Sequence, residues 1–435
     1  MTLKEIDEGK LLNKVTWRLI PLLLLLFIIA YIDRFNIGYA ALQMNEDLGF
    51  SAQIYGLGSG IFFLGYSLFE IPSNLILERI GARVWISRIV ITWGIIATGM
   101  IFVKGAESFY ILRFLLGIAE AGFFPGIVLY ITYWFPAVQH AKILALFISA
   151  TAISGILGGP ISGFLLALDG IAGLEGWQWL FLMEGLPAII MGFVALGYLI
   201  DTPEQAEWLT PEERFWLQEK LRLESEHKQH QNSYTLFQTL VNPTVWLLGL
   251  ILFTRTIGFS GISFWLPQII QGFSGVSDLW VGFLSAIPYV VSAIGMVVIG
   301  NHSDQTGERR AYVAISAFVG AVGLLLSAYL HEPVTALAAF SLAGLGIWGG
   351  AGPLWALNTA FFGGTTAAAG SFALINSVGN LGGLVAPYII GLFKDSTHSF
   401  TTGLFFMATA LLFSGIITLG LRPDTSPEQL EPISH

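Results

Sequence analysis

Apolar residues along this chain gather into blocks of at least 18 positions separated by short polar or charged breaks. A helix needs roughly 20 apolar residues to cross a bilayer, so each block predicts one membrane span. Twelve are predicted: 19 to 41, 52 to 77, 84 to 103, 108 to 133, 143 to 168 and 177 to 200, then 243 to 270, 280 to 299, 311 to 330, 333 to 359, 367 to 393 and 400 to 421. Leu22 to Ile32 runs on into a full-length apolar segment with no small-residue cleavage site, so it is expected to be the first span and not a cleaved signal.

The longest polar stretch, 201 to 242, falls between the sixth and seventh blocks. The expected organisation is therefore a six-helix bundle over 1–200, a cytoplasmic linker over 201–242 and a second six-helix bundle over 243–435. Within the linker, Thr210, Pro211 and Glu213 spell a capping box with proline at the first helical position. Phe215, Trp216, Leu217, Leu221 and Leu223 then predict an amphipathic helix lying along the membrane surface.

Composition agrees with the pattern. The 435 residues are 54% hydrophobic and 11% charged, with a mean hydropathy of +0.72, whereas soluble domains carry about 25% charge. A water-soluble protein is excluded. A net charge of -9 and a pI near 5.3 argue against a nucleic-acid partner. The absence of cysteine excludes disulfides, thiol catalysis and cysteine metal sites, and no cofactor is expected.

Basic residues set the orientation. With both termini cytoplasmic, fifteen of the 20 Lys and Arg residues fall on cytoplasmic segments, and Lys104 and Lys394 fall outside. That excess predicts a multi-pass protein of the cytoplasmic (inner) membrane. Arg34, Arg113 and Arg255 remain within the bilayer, alongside Asp33, Glu70, Glu120 and Glu184. A charge at the bilayer centre costs about 2.5–3.5 kcal/mol on insertion scales, so these side chains need partners or a water-filled cavity.

Asp33 and Arg34 of the first span and Arg113 and Glu120 of the fourth could line one such cavity. In this reading Arg34 binds a carboxylate through its planar fork, Arg113 is a second substrate-binding cation, and Asp33 and Glu120 exchange protons. An anion that occupies the arginine would favour protonation of the carboxylate it displaces, which couples anion to proton. Arg255 is expected to act on substrate or gating from the seventh span, and Asn376 and Asn380 of the eleventh to recognise hydroxyl groups. Gly344, Gly346 and Gly349 spell G-x-G-x-x-G inside an apolar helix with no preceding strand, which argues against a dinucleotide site.

An internal repeat appears between NLILERIGAR, Asn74 to Arg83, and GNHSDQTGER, Gly300 to Arg309. Glu78, Gly81 and Arg83 match Asp304, Gly307 and Arg309 at a constant offset of 226 positions. Two homologous halves are the organisation of a transporter with parallel repeats. Three further stretches are YIDRFNIG, Tyr31 to Gly38; RFLLGIAEAGFFPG, Arg113 to Gly126; and GWQWLFLMEGLPA, Gly176 to Ala188.

Together these motifs resemble the major facilitator superfamily over nearly the whole chain, and within it the anion:cation symporter family, nearest its tartrate, phthalate and allantoate permeases. The resemblance implies an all-α membrane fold of twelve helices in two pseudo-symmetric bundles, working as a monomer by alternating access. It implies proton-coupled uptake of a small organic anion, such as a dicarboxylate, aromatic acid or sugar acid, with Na⁺ as the alternative coupling ion. Sugar-acid members use the residues matching Asp33, Arg34 and Glu120, and Tyr31 and Tyr66 match positions that contact substrate. Some of those members carry a glutamine in the fifth helix where this chain reads Ser149, Ala150, Thr151 and Ala152, which points away from an identical substrate.

The repeated loop residues Glu78, Arg79, Arg83, Asp304 and Arg309 are expected to latch one conformation. Asn74 and Glu78 replace the motif's usual glycine and aspartate. GILGGPISG, Gly155 to Gly163, resembles a string of proton antiporters and keeps an organic-anion exchanger or exporter as the alternative. A receptor would need a larger soluble domain than 201–242. An enzyme would need a nucleophile with its base or a metal constellation, and the sequence offers neither.

Overall fold

A computed structural model describes residues 6–229, 241–273, 275–362 and 368–421. Among them are twelve helices long and apolar enough to cross a membrane, and no strand. Spans 1 to 6 are Glu8–Asp47, Ala52–Ile80, Ala82–Phe102, Ala106–Trp134, Ala137–Leu166 and Gly176–Tyr198. Spans 7 to 12 are Pro243–Gln271, Asp278–Thr306, Arg310–Tyr329, Pro333–Phe361, Gly370–Thr397 and Thr401–Gly420. An even number of crossings puts the start of span 1 and the end of span 12 on the same side, here called the terminal face.

Span 1 begins eleven residues before its expected start, with 40 residues against the 23 predicted. At 1.5 Å per residue it is about 60 Å long, twice the roughly 30 Å hydrocarbon core. Apolarity marks the immersed part of a helix, while its end is set by backbone hydrogen bonding. Here Asp7 accepts from the Lys10 amide and caps the helix, and Leu11, Leu12 and Val15 are buried beneath it. The same reason extends spans 5 and 8 beyond their expected 143–168 and 280–299, so that His140 and His302 lie inside helices.

Packing follows a twofold pattern. Span 2 packs on span 11 and span 5 on span 8, so exchanging the two sets of six maps one contact onto the other, while span 1 meets span 7 near the axis. That is the arrangement of parallel repeats.

Spans 4 and 10 are each interrupted near the middle of their length. The helix of span 4 ends at Glu120 and restarts at Phe123, with Gly122 at φ 83°. That of span 10 ends at Gly349 and restarts at Ala351. Both breaks read Gly-x-x-Pro: Gly122 to Pro125 and Gly350 to Pro353. A proline ring clashes with the carbonyl four residues back, and a glycine three residues back lets the chain turn out of the clash. Pro72, Pro160, Pro288 and Pro387 lack that glycine, and their helices continue unbroken.

In the linker, the helix Pro211–Gln229 starts with a reciprocal box. The Thr210 amide donates to Glu213 Oε2 at 2.9 Å, and the Glu213 amide donates to Thr210 Oγ1 at 3.2 Å. Lys14 Nζ reaches the same Glu213 oxygen at 2.7 Å, tying the helix to span 1.

Candidate functional site

Between the two sets of six spans lies a cavity of about 190 Å³, walled by spans 1, 2, 4 and 5 on one side and 7, 10 and 11 on the other. Its position follows from the breaks, because the interrupted backbones of spans 4 and 10 open onto it. Non-helical backbone at membrane depth is tolerated only where it is buried in protein or faces such a space.

Each break is met by an arginine from the first span of its own half. Arg34 donates through Nη2 to Glu120, the last helical residue before the span 4 break. Its guanidinium lies among the rings of Tyr31, Phe62 and Tyr66, 4.9, 5.1 and 5.3 Å from their centroids. Those π faces stabilise a desolvated cation. Arg255 donates through Nη2 to the carbonyls of Ile347 at 2.6 Å and Gly346 at 3.2 Å, which the interrupted helix of span 10 leaves without intrahelical partners. Its Nη1 donates to Ser316 Oγ at 3.3 Å and the Val313 carbonyl at 3.4 Å.

Of the residues singled out in the sequence, Tyr31, Arg34, Tyr66, Glu120, Arg255, Asn376 and Asn380 line the cavity together. Asp33 and Arg113 do not. Asp33 is buried behind it, accepting from Asn36 Nδ2 at 3.1 Å, within electrostatic reach of Arg113 and Glu120. Arg113 is fully buried against the Phe62 ring and donates to the carbonyls of Gly58 and Ser59, both at 3.3 Å. Glu70 and Glu184 both bond to side chains: Glu70 accepts from Asn376 at 2.6 Å across the halves, and Glu184 from Ser162 at 3.0 Å.

The sequence reading left out most of the cavity's apolar walls, Phe63, Phe123, Phe124 and Phe259 among them. In span 1, Phe27, Ala30, Tyr31 and Arg34 fall on one helical stripe, and all four line the space.

The repeated loops sit at the terminal face and pair locally. The Arg83 amide donates to Asp201 Oδ1 at 2.8 Å and its Nε to the Leu196 carbonyl at 2.7 Å. Arg309 pairs with Asp304, and Glu78 and Arg79 are exposed. Apart from Glu70–Asn376, hydrogen bonds across the halves gather at the opposite face instead. Asp395 accepts from the amides of Ala52 and Gln53 at 3.0 and 2.8 Å, Gln43 donates to Asp278 at 2.8 Å, and the Tyr55 hydroxyl donates to the Phe264 carbonyl at 2.8 Å. The cavity is therefore sealed on the face away from the termini.

Twelve spans, a twofold pair of broken helices and a central cavity closed on one side define a polytopic membrane transporter. The family model described as Major Facilitator Superfamily matches residues 23–387, and the chain belongs to that superfamily. It is 48% identical over 98% of its length to the protein named "Putative tartrate transporter" in Agrobacterium vitis, covering 99% of that protein. It is 43% identical to the "Quinolone resistance transporter" of Acinetobacter baumannii, covering 94% of each, and 35% identical to the "Inner membrane transport protein RhmT" of Escherichia coli K12, covering 96% of each. Among solved structures it is similar to a bacterial homolog of the human lysosomal transporter Spinster, with a TM-score of 0.73 at 16% identity over 95% of this chain and 96% of that one. The xylose transporter XylE from E. coli gives 0.76 at 14% identity over 95% and 99%. The chain is thus a secondary transporter of small organic solutes.

Proposed function

We propose that the protein carries a small organic anion with one or more carboxylates into the cell, coupled to inward movement of protons across the inner membrane. Both termini are then cytoplasmic, the structure is inward-facing, and residues 1–200 and 243–435 rock about the cavity as two units joined by the 201–242 linker. The observation that carries this reading is that Arg34 and Arg255, from opposite halves, both reach one cavity of about 190 Å³. Such a space is smaller than the roughly 300–1,000 Å³ pockets of drug-sized ligands, and two guanidiniums favour an anion over a neutral sugar or a cationic drug.

The Arg34–Glu120 pair supplies the coupling. A substrate carboxylate that takes Arg34 leaves Glu120 as a second anion in a dry site, and a proton on Glu120 relieves that repulsion. Asp33 relays protons from behind, while Tyr31, Tyr66, Asn376 and Asn380 shape the site and Arg113 holds spans 2 and 4 together. Glu78, Arg79, Arg83, Asp304 and Arg309 would meet across the halves in the alternate state. Likeness to the tartrate-named relative supports the anion:cation symporter assignment and a dicarboxylate as first substrate to try.

The test is a thermal-shift screen of the purified protein against tartrate-like dicarboxylates, aromatic acids, sugar acids and ureides, followed by proteoliposome uptake with and without a pH gradient. Uptake of a stabilising acid that rises with the gradient is expected. No stabilisation by any acid removes the anion reading. Counterflow that is indifferent to the gradient favours exchange or export, the second reading, which the quinolone-resistance relative supports.

A further inference from the structure

Behind the cavity, spans 1, 5 and 6 enclose a polar cluster that the transport reading leaves partly unused. Asn36 is 1% exposed and Glu184 5%. Asn36 donates through Nδ2 to Asp33 Oδ1 at 3.1 Å, and Ser162 donates through Oγ to Glu184 Oε1 at 3.0 Å. Two oxygens in this cluster, Asn36 Oδ1 and Glu184 Oε2, are buried with no hydrogen-bond partner. Neither Glu184 nor Asn36 lines the cavity.

The buried charges of this half do not balance. Arg34 is matched to Glu120 by direct contact, and Asp33 is the leading opposite charge acting on Arg113. Glu70, which accepts from Asn376, and Glu184 are left over, and the charge that acts on Glu184 is that of Asp33, of its own sign. From span 1 the ionisable groups facing it are Asp33 and Tyr39. Spans 3 and 5 carry theirs, Arg83, Arg88, His140 and Lys142, in their first two turns at the terminal face. A carboxylate buried without a counter-charge is costly enough to recruit a cation.

We propose that Glu184, with Asn36, Ser162 and Asp33, forms a binding site for one monovalent cation, a proton or a sodium ion, distinct from the Arg34–Glu120 pair. A proton on Glu184 Oε2 turns that partnerless buried oxygen into a hydrogen-bond donor. A sodium ion finds hard oxygen ligands in the two carboxylates, the amide oxygen and the serine hydroxyl. The site stands on these contacts alone. Only the claim that its cation helps to drive transport rests on the proposed function.

The test uses the full-length protein in nanodiscs without substrate, so it is independent of which acid is carried. Infrared difference spectra are taken across a pH series in choline chloride, then after addition of sodium chloride, for wild type and Glu184→Gln. Glutamine keeps an acceptor for Ser162 but has no carboxyl. The expected result is one protonated-carboxyl band in wild type that is absent from Glu184→Gln. Persistence of the band in sodium identifies the proton as occupant, and its loss identifies sodium; either supports the site. Identical wild-type and variant spectra, with no effect of sodium, overturn it. Should Glu184→Gln fail to fold, Ser162→Ala replaces it, with a shifted band expected and an unshifted one overturning the proposal. If the site is found and no acid is transported, the anion reading falls and the cation site stands.

Discussion

Arg34 carries the recognition of substrate because it combines a free approach from the cavity with a counter-ion that can be exchanged. Its partner Glu120 contacts it directly, and Tyr31 and Tyr66 hold it in place with their rings. Arg34→Lys keeps the charge and loses both the planar fork and the stacking. Hydrogen bonds to charged groups are worth about 1.5–3 kcal/mol, so affinity for the substrate should fall by about 10- to 100-fold, measured by titration calorimetry. Wild-type affinity would move the anion to Arg255. Glu120→Gln leaves the arginine in place and removes the proton site, so counterflow should persist while stimulation of uptake by a pH gradient is lost. Retained stimulation would shift coupling to Asp33 or Glu184. Most of these residues could be read from the sequence because charge inside an apolar block is costly wherever it points. Which of Asp33 and Arg34 faces the cavity could not, since neighbours on a helix diverge and only packing selects the stripe that meets the space. For Arg113, too, what the side chain meets depends on which carbonyls a neighbouring helix brings to it.

At the level of the helices, the number of spans and their order were written in the apolar blocks, whereas the two breaks needed a reading of backbone sterics. Gly122 and Gly350 do different work despite sharing the Gly-x-x-Pro pattern. Gly122 adopts φ 83°, and a Cβ there would lie 2.4 Å from Ser73 Oγ. Gly122→Ala should therefore destabilise by about 1–3 kcal/mol, seen as a lower melting temperature. Gly350 has an ordinary φ of -82°. A Cβ on it would meet Ser316 Oγ at 2.0 Å and Arg255 Nη2 at 2.4 Å, so Gly350→Ala should displace Arg255 and weaken substrate binding more than stability. Gly352, with open space around it, is the control: Gly352→Ala should leave both near wild type. Equal effects at 350 and 352 would show that Arg255 is not held by the break. The same sterics explain the limit of the sequence reading, because hydropathy is blind to a turn made of glycine and proline within an unbroken apolar block.

On the scale of the whole molecule, the seal at the face opposite the termini is made by backbones in contact. A Cβ on Gly282 would lie 2.3 Å from the Gly159 carbonyl oxygen, and one on Gly56 would lie 2.2 Å from that of Pro387. Spans 5 and 8 and spans 2 and 11 close only because these positions carry no side chain. Asp395 adds a charge at the amino end of span 2, a favourable interaction with the helix dipole of about 0.3–1 kcal/mol. A bulky residue at 282 should therefore prevent closure and hold the molecule in the alternate state, with the cavity open away from the termini. The chain has no cysteine, so a single Thr256→Cys on the cavity wall reports access without background. In otherwise wild-type protein that thiol should react with a membrane-impermeant reagent from the terminal face; with Gly282→Val added, labelling should move to the opposite face. Asp395→Asn should shift the balance the same way by a factor of about 2 to 5, as expected for a fraction of 1 kcal/mol to 1 kcal/mol. Unchanged labelling in Gly282→Val would mean that the glycine contacts do not form the seal and that the two halves separate along another surface.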